Sequence, residues 1–217
     1  MNCIYCQYGW TEIHCHDGRE YREYLPKSSQ VIKAITHVME QQNNFDYLTF
    51  CGNGEPTLNP DFPRFVETAQ KLKQKVRPEV KIAVLSNSTT CFQHETKKAL
   101  EHLDLPIMKL DVGNENAFNR LNLGKPPVSF MKIIDGLRQL KNKVIQSMFV
   151  EGKFSNSTDW QVGSWMEKIA EIKPLWVQIY SLDRRTASRK LQKVSRLRLE
   201  EIAEKTEKKT GIKIEVY

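Results

Sequence analysis

A chain of 217 residues, 40% hydrophobic and 27% charged, can bury one sizeable core without disulfide staples. Its apolar stretches run only a handful of residues, and no basic, apolar and small-residue leader opens it, so the expectation is neither a membrane span nor a secretory signal. Five cysteines, an odd number, argue against a disulfide framework and for a reducing, cytoplasmic setting, while the net charge of +7 admits phosphate-bearing partners.

The chain opens MNCIYCQYGWTEIHCH, with Cys3 and Cys6 two residues apart. Such a pair has three readings: a redox couple, a zinc site recruiting His14, Cys15 or His16, or part of an iron–sulfur site. A helix is expected over 28–41, where Val31, Ile35, Val38 and Met39 recur at helical spacing behind Ser28 or Ser29 as cap. A β-branched run at 46–52 then leads into Gly52-Asn53-Gly54-Glu55-Pro56. The next helix, 59–76, carries Pro60 early and aligns Phe62, Phe65, Val66, Ala69 and Leu72.

Strand 81–87 ends in Ser86-Asn87-Ser88-Thr89 and precedes a helix over 92–103. Strand 106–113 carries Lys109 and Asp111 and runs to Gly113 and Asn114. A helix over 129–142, a strand over 144–150 ending at Glu151-Gly152, and a helix over 159–173 follow. Strand 175–181 brings Gln178, Tyr180 and Ser181, with Asp183 beyond. The stretch LDRRTASRKLQKVSRLR then places Arg184, Arg185, Arg189, Lys190, Lys193, Arg196 and Arg198 beside a single acid, without interleaved aromatics. It reads either as a solvated face or as a grip on RNA phosphates. A helix over 195–210, stopped by Gly211, and a strand over 212–217 complete the chain.

Alternating strands and helices imply a parallel α/β sheet with right-handed crossovers, either open and doubly wound or curved into a barrel. The first helix precedes the first strand, so the expectation is that a βα series starts one strand ahead of residue 1. In parallel sheets chemistry gathers at the C-terminal strand ends. Here five successive ends carry polar groups, and this makes a ligand-binding mouth. At TFCGNGEPT, two glycines let backbone approach a ligand without a Cβ in the way. Glu55 adds a carboxylate suited to an ammonium group. The cysteine pair falls at the same mouth, just after the expected missing strand, a position that favours an iron–sulfur site.

At these residues the chain resembles the radical S-adenosylmethionine (SAM) superfamily, whose signature C-x3-C-x-aromatic-C follows the first strand of a partial (β/α)6 TIM-like barrel. The matching residues are Cys3, Tyr5 and Cys6 in NCIYCQYGWT, and GNGEP resembles the family's glycine-rich turn. The likeness runs through VQIYSLDRRTA to the last strand. It looks closest to small iron–sulfur oxidoreductases related to wyosine-type tRNA-modifying enzymes. One departure stands out: the first signature cysteine would lie four residues before Cys3, ahead of Met1. The resemblance therefore implies an N-terminally shortened member.

The resemblance implies one domain over 1–217, with a cluster-binding loop at 1–27 and βα repeats over 28–217. It implies Cys3 and Cys6 as ligands of a 4Fe–4S cluster whose open iron binds SAM. One electron from a reductant such as flavodoxin or ferredoxin then gives a 5′-deoxyadenosyl radical that takes hydrogen from a substrate the sequence does not name. Tyr5 is implied near the adenine, and Glu55 with the backbone of Gly52, Asn53 and Gly54 at the methionyl end. Ser86, Asn87, Lys109 and Asp111 would meet ribose or carboxylate, and Gln178 to Tyr180 the adenine edge. Cys51 and Cys91 are expected as buried small hydrophobes. The competing readings are a zinc-stapled α/β protein, an RNA-binding module built on residues 184–198, and an inert fragment.

Overall fold

In the computed structural model, which describes residues 1–10, 13, 15, 17–41, 44–124 and 128–217, the apolar runs become a six-stranded parallel sheet. Its strands are β1 (Tyr47–Phe50), β2 (Lys81–Ser86), β3 (Leu105–Lys109), β4 (Val144–Met148), β6 (Val177–Tyr180) and β8 (Ile214–Val216), paired in this sequential order. A doubly wound sheet would reverse direction at a switch point. A sequential order has no reversal, so every crossover winds the same way and the helices form one outer layer, as in a barrel. Ile82, Val84, Met108, Val144, Ile145, Val177 and Ile179 are buried, as strands covered on both faces require.

The helices are α1 (Ser28–Glu40), α2 (Phe62–Val76), α3 (His94–Glu101), α4 (Glu115–Leu121), α5 (Phe130–Gln139), α6 (Asp159–Ile172) and α7 (Arg196–Thr210), with short 3-10 turns at Gly18–Tyr24 and Pro56–Leu58. Gly211 closes α7 in the left-handed region at φ 71°, as its position after the last periodic residue implied. The expected cap at Ser28 or Ser29 is not used. The helix starts at Ser28 itself behind Lys27, and the Ser28 hydroxyl donates to the Asp61 carboxylate. Pro60 lies outside α2, and Pro63 takes the first turn instead.

Two features escaped the periodicity. The run at 144–150 divides, because Phe149 N still donates to Tyr180 O at 2.9 Å while Val150 N turns to Asn156 Oδ1 at 2.7 Å. Residues Val150–Gly152 then form β5, antiparallel to β7 (Leu191–Lys193). The other is α4, seven residues capped by Asn114 Oδ1, which accepts from Ala117 N at 2.9 Å. A close approach holds this end of the molecule together. A Cβ on Gly113 would stand 2.1 Å from the backbone of Ser164 in α6.

Candidate active site

The parallel register sets Lys109 beside Gln146, and Gln146 beside Gln178, in one row across β3, β4 and β6. Lys109 Nζ lies 2.9 Å from Asp111 Oδ1 and donates to the Tyr180 hydroxyl at 3.0 Å. It also stands over the rings of Tyr180 at 4.8 Å and Tyr5 at 5.3 Å. Tyr180 OH donates to Gln146 Oε1 at 3.3 Å, and Gln146 Nε2 to Gln178 Oε1 at 3.0 Å.

Asp111, 2% exposed, is the hub. Its Oδ1 also accepts from Met148 N at 2.8 Å; its Oδ2 accepts from Asn122 Nδ2 at 2.8 Å and from the Tyr5 hydroxyl. A carboxylate so deep in the protein is tolerable because a cation and three further donors surround it. Burial disfavours the Lys109 cation, but Asp111 and Tyr180 outweigh that effect and raise its pKa above the ordinary lysine value. Tyr5 is pushed well above the usual phenol value by burial, then by Asp111 and Cys3.

The cysteine loop is pinned on both sides of the mouth. Asn2 N and Ile4 N donate to the carbonyls of Asn122 and Leu121 at 3.2 and 3.0 Å, while Ser188 N and Ala187 N donate to Ile4 O and Cys6 O, both at 2.9 Å. The loop turns back through Cys6 N to Cys3 O at 3.0 Å. Cys3 Sγ receives Asn122 Nδ2 at 3.4 Å. Burial raises the Cys3 pKa and Asp111 adds to it, against the lowering effect of the Asn122 hydrogen bond.

Glu55 closes on itself and on β2. Its Oε1 accepts from Thr57 N at 3.2 Å and Thr57 Oγ1 at 2.5 Å, and its Oε2 from Asn87 N. Burial raises its pKa against those three bonds and a further one from the Ser86 side chain. Ser86 and Asn87 shape the following turn: Ser86 Oγ accepts from Ser88 N at 3.1 Å and Asn87 Oδ1 from Thr89 N at 3.0 Å. Gly52, Asn53 and Gly54 form an exposed turn where a Cβ on either glycine would meet nothing within 4 Å, so their backbone is open to a ligand.

Of the residues singled out from the sequence, the fold thus joins Cys3, Tyr5, Lys109, Asp111, Gln178 and Tyr180 in one network. Glu55 and Asn87 meet separately, and Asn87 shares a cleft with Lys109, Asp111, Asn122 and Met1. The exposed turn at Gly52–Gly54 runs directly into Glu55 and so adjoins the second group. Asn122 and Gln146 also belong to the network, although neither stands in a recognisable motif. Cys91 is buried as expected, its pKa raised to about 12 by burial. Cys51, expected inside, is exposed, because it follows an edge strand whose residues are only partly covered. His14 and His16, the candidate zinc ligands, lie outside the described residues.

An iron–sulfur cluster and SAM can be tested against these groups. Cys3 and Cys6 offer two thiols on an irregular loop, with an N–H donor already at one sulfur, and so suit two corners of a cluster. Among the described residues no group of three His, Cys, Asp or Glu side chains could hold a metal ion. A third thiolate is therefore not supplied by them. For SAM, the cleft holds a buried oxygen in need of a donor, Asn122 Oδ1. It also presents the Lys109 cation. The space these groups line is only about 10 Å³, room for a single water, so together they do not hold a whole amino acid in this structure.

A six-stranded, singly wound parallel sheet with a cysteine loop across its strand ends defines an α/β protein of the partial TIM-barrel class. The family model of the radical SAM superfamily matches residues 1–153. The chain belongs to the radical SAM superfamily. A UPF0026 protein of Methanocaldococcus jannaschii is 25% identical over 178 residues, which are 80% of this chain and 52% of that protein. A protein named GTPase Obg from Brachyspira hyodysenteriae is 25% identical over 219 residues, 99% of this chain but 31% of that protein. The chain thus spans roughly a third to a half of these curated relatives. It contains no G-x-x-x-x-G-K-S/T stretch for a nucleotide phosphate.

Among solved structures, TYW1 with a lysine–pyruvate adduct bound superposes with a TM-score of 0.64 at 15% identity, covering 97% of this chain and 71% of that one. Streptococcus suis SuiB bound to S-adenosylmethionine gives 0.63 at 14%, covering 100% and 49%. At such identities these likenesses speak for the fold. No helix among the described residues is long and apolar enough to cross a membrane.

Proposed function

We propose that the chain is the core of a radical SAM enzyme, with Cys3 and Cys6 as two of the thiolate ligands of a 4Fe–4S cluster and the strand ends as the SAM site. The observation that carries this reading is the unbroken hydrogen-bonded path from Cys3 through Asn122 and Asp111 to Lys109 and Tyr180. When bound, cluster and SAM together supply a 5′-deoxyadenosyl radical able to abstract a substrate hydrogen, an external one-electron donor providing the electron.

The residues of the chain bind and orient. Asp111 holds Lys109 protonated, so Lys109 acts as a fixed cation for a carboxylate. It is not poised as the free amine that a carbonyl adduct would need. Tyr5 and Tyr180 flank the cation with their ring faces. The turn at Gly52–Gly54 offers backbone groups to the methionyl end. Glu55, engaged by Thr57 and Asn87, sets the height of the β2 turn and receives an ammonium by exchanging one of those bonds. Cys3→Ala and Cys6→Ala are each expected to lose most of the iron taken up by the parent on anaerobic reconstitution, with unchanged circular dichroism. Parent-level iron in both variants would show that the loop holds no cluster.

A nucleic-acid partner is a second proposal, and one structural observation favours it. Arg184, Arg185, Arg189, Lys190 and Lys193 are exposed and make no ion pair among the described residues, whereas Arg196 and Arg198 are paired to acids. The fold supplies the aromatics that the stretch lacks. Arg184 donates to Gln7 Oε1 at 3.3 Å, and Tyr8 and Trp10, 60% and 52% exposed, continue that loop. Exposed cations and exposed rings on two segments bonded to one another suit single-stranded RNA. Joint replacement of Arg184, Arg185 and Lys190 by Glu should lower affinity for a single-stranded RNA at least tenfold. Its salt dependence should flatten by about 0.7 in log–log slope for each phosphate no longer gripped. Salt-independent or unaltered binding would refute it.

A further inference from the structure

The cysteine loop closes on Asn122. This residue follows the last turn of α4, where its N–H donates to Phe118 O at 2.9 Å and its carbonyl accepts from Asn2 N at 3.2 Å. Its backbone is thus fixed from both sides. The side chain, only 3% exposed, faces three acceptors with Nδ2: Asp111 Oδ2 at 2.8 Å, the Tyr5 hydroxyl at 3.2 Å and Cys3 Sγ at 3.4 Å. Two amide hydrogens serve them. The shortest bond, to Asp111, takes one hydrogen and leaves the other for the phenol and the sulfur. The sulfur lies within the usual reach for an N–H donor to a large, polarisable acceptor. The amide is thus held through its nitrogen, while its buried oxygen, Oδ1, has no partner.

We propose that Asn122 is a positioning residue: its N–H to Cys3 Sγ holds the cysteine loop on α4 and raises the electron affinity of the iron–sulfur centre that Cys3 ligates. The second half rests on the reading of Cys3 as a cluster ligand. A hydrogen bond to a thiolate disperses its negative charge, and the effect grows when the centre gains an electron, so the reduced form is favoured. No bond is made or broken. Asn122 alters only the ease with which an outside electron is accepted. A residue serving solely to end α4 would stabilise the loop without touching the centre's potential.

The experiment uses the full chain with Asn122→Leu, which keeps the bulk and removes the donor, and Asn122→Gln, which restores an amide on a longer arm. In the metal-free proteins, amide hydrogen exchange at residues 2–6 is expected to be about tenfold faster in the Leu variant, the worth of one hydrogen bond. After reconstitution with iron and sulfide, a potentiometric titration followed by electron paramagnetic resonance should give a more negative midpoint for Leu and a return toward the parent for Gln. A parent-like midpoint in the Leu variant overturns the electronic role, and parent-like exchange overturns the clasp. Failure of every protein, the parent included, to take up iron removes Cys3 as a ligand and the electronic role with it; exchange then still decides the clasp.

Discussion

Replacing Asp111 by Leu is expected to lower stability by about 3–5 kcal/mol, the usual consequence of removing one partner from a buried ion pair. Lys109 would stay in place with its cation unmatched, and Met148 N, Asn122 Nδ2 and the Tyr5 hydroxyl would lose the same acceptor. Urea unfolding at neutral pH measures it. Lys109 has its folded pKa raised above the ordinary lysine value. The stabilisation it gains is therefore fully present below that ordinary value and is lost only as pH rises through the raised one. The contribution of this lysine to the stability of the parent should accordingly stay constant from about pH 7 to 9. Adding Lys109→Met to Asp111→Leu should recover part of the loss, because neither charge is then buried alone. A cost below about 1 kcal/mol for Asp111→Leu would mean that water reaches the pair.

Gly113→Ala should cost about 3 kcal/mol or more, although it removes no atom of the site. The new methyl would lie 2.1 Å from Ser164 C and O and 2.3 Å from Trp165 N, all backbone of α6. Backbone cannot rotate aside as a flexible side chain can, so the β3–α4 connection or the helix must move. Gly163→Ala is the control. It lies in α6 with nothing within 4 Å of the added methyl, and is expected to be neutral or stabilising by up to about 1 kcal/mol. Denaturant midpoints for the two variants that coincide would contradict the close packing of α6 on this connection.

Much of this architecture was legible because buried parallel strands write themselves as short β-branched runs. The helices between them carry one apolar stripe each, as the core residues of α2 show. The strand ends followed from the strands, and with them Lys109, Asp111, Gln178 and Tyr180. Whether the sheet was doubly wound or curved was not legible from alternation alone, since both arrangements share it; strand order decided it. Asn122 was invisible for a different reason. It ends a seven-residue helix too short to show a period, and its meaning lies in meeting Cys3, 119 positions away in sequence. The β5–β7 ribbon was hidden likewise, three residues per strand being too few to alternate. The basic stretch meets the loop that carries Tyr8 and Trp10 through bonds from Arg184, Ala187 and Ser188 to residues 4–7, which no local pattern announces.

The most direct test of the radical SAM assignment of function is electron paramagnetic resonance of the anaerobically reconstituted, reduced chain with and without SAM, alongside iron, acid-labile sulfide and 5′-deoxyadenosine determinations. The assignment predicts iron and sulfide in equal amounts, a reduced-cluster signal that SAM perturbs, and 5′-deoxyadenosine formed when SAM is present. Zinc without sulfide, or a cluster signal indifferent to SAM with no 5′-deoxyadenosine, would contradict it.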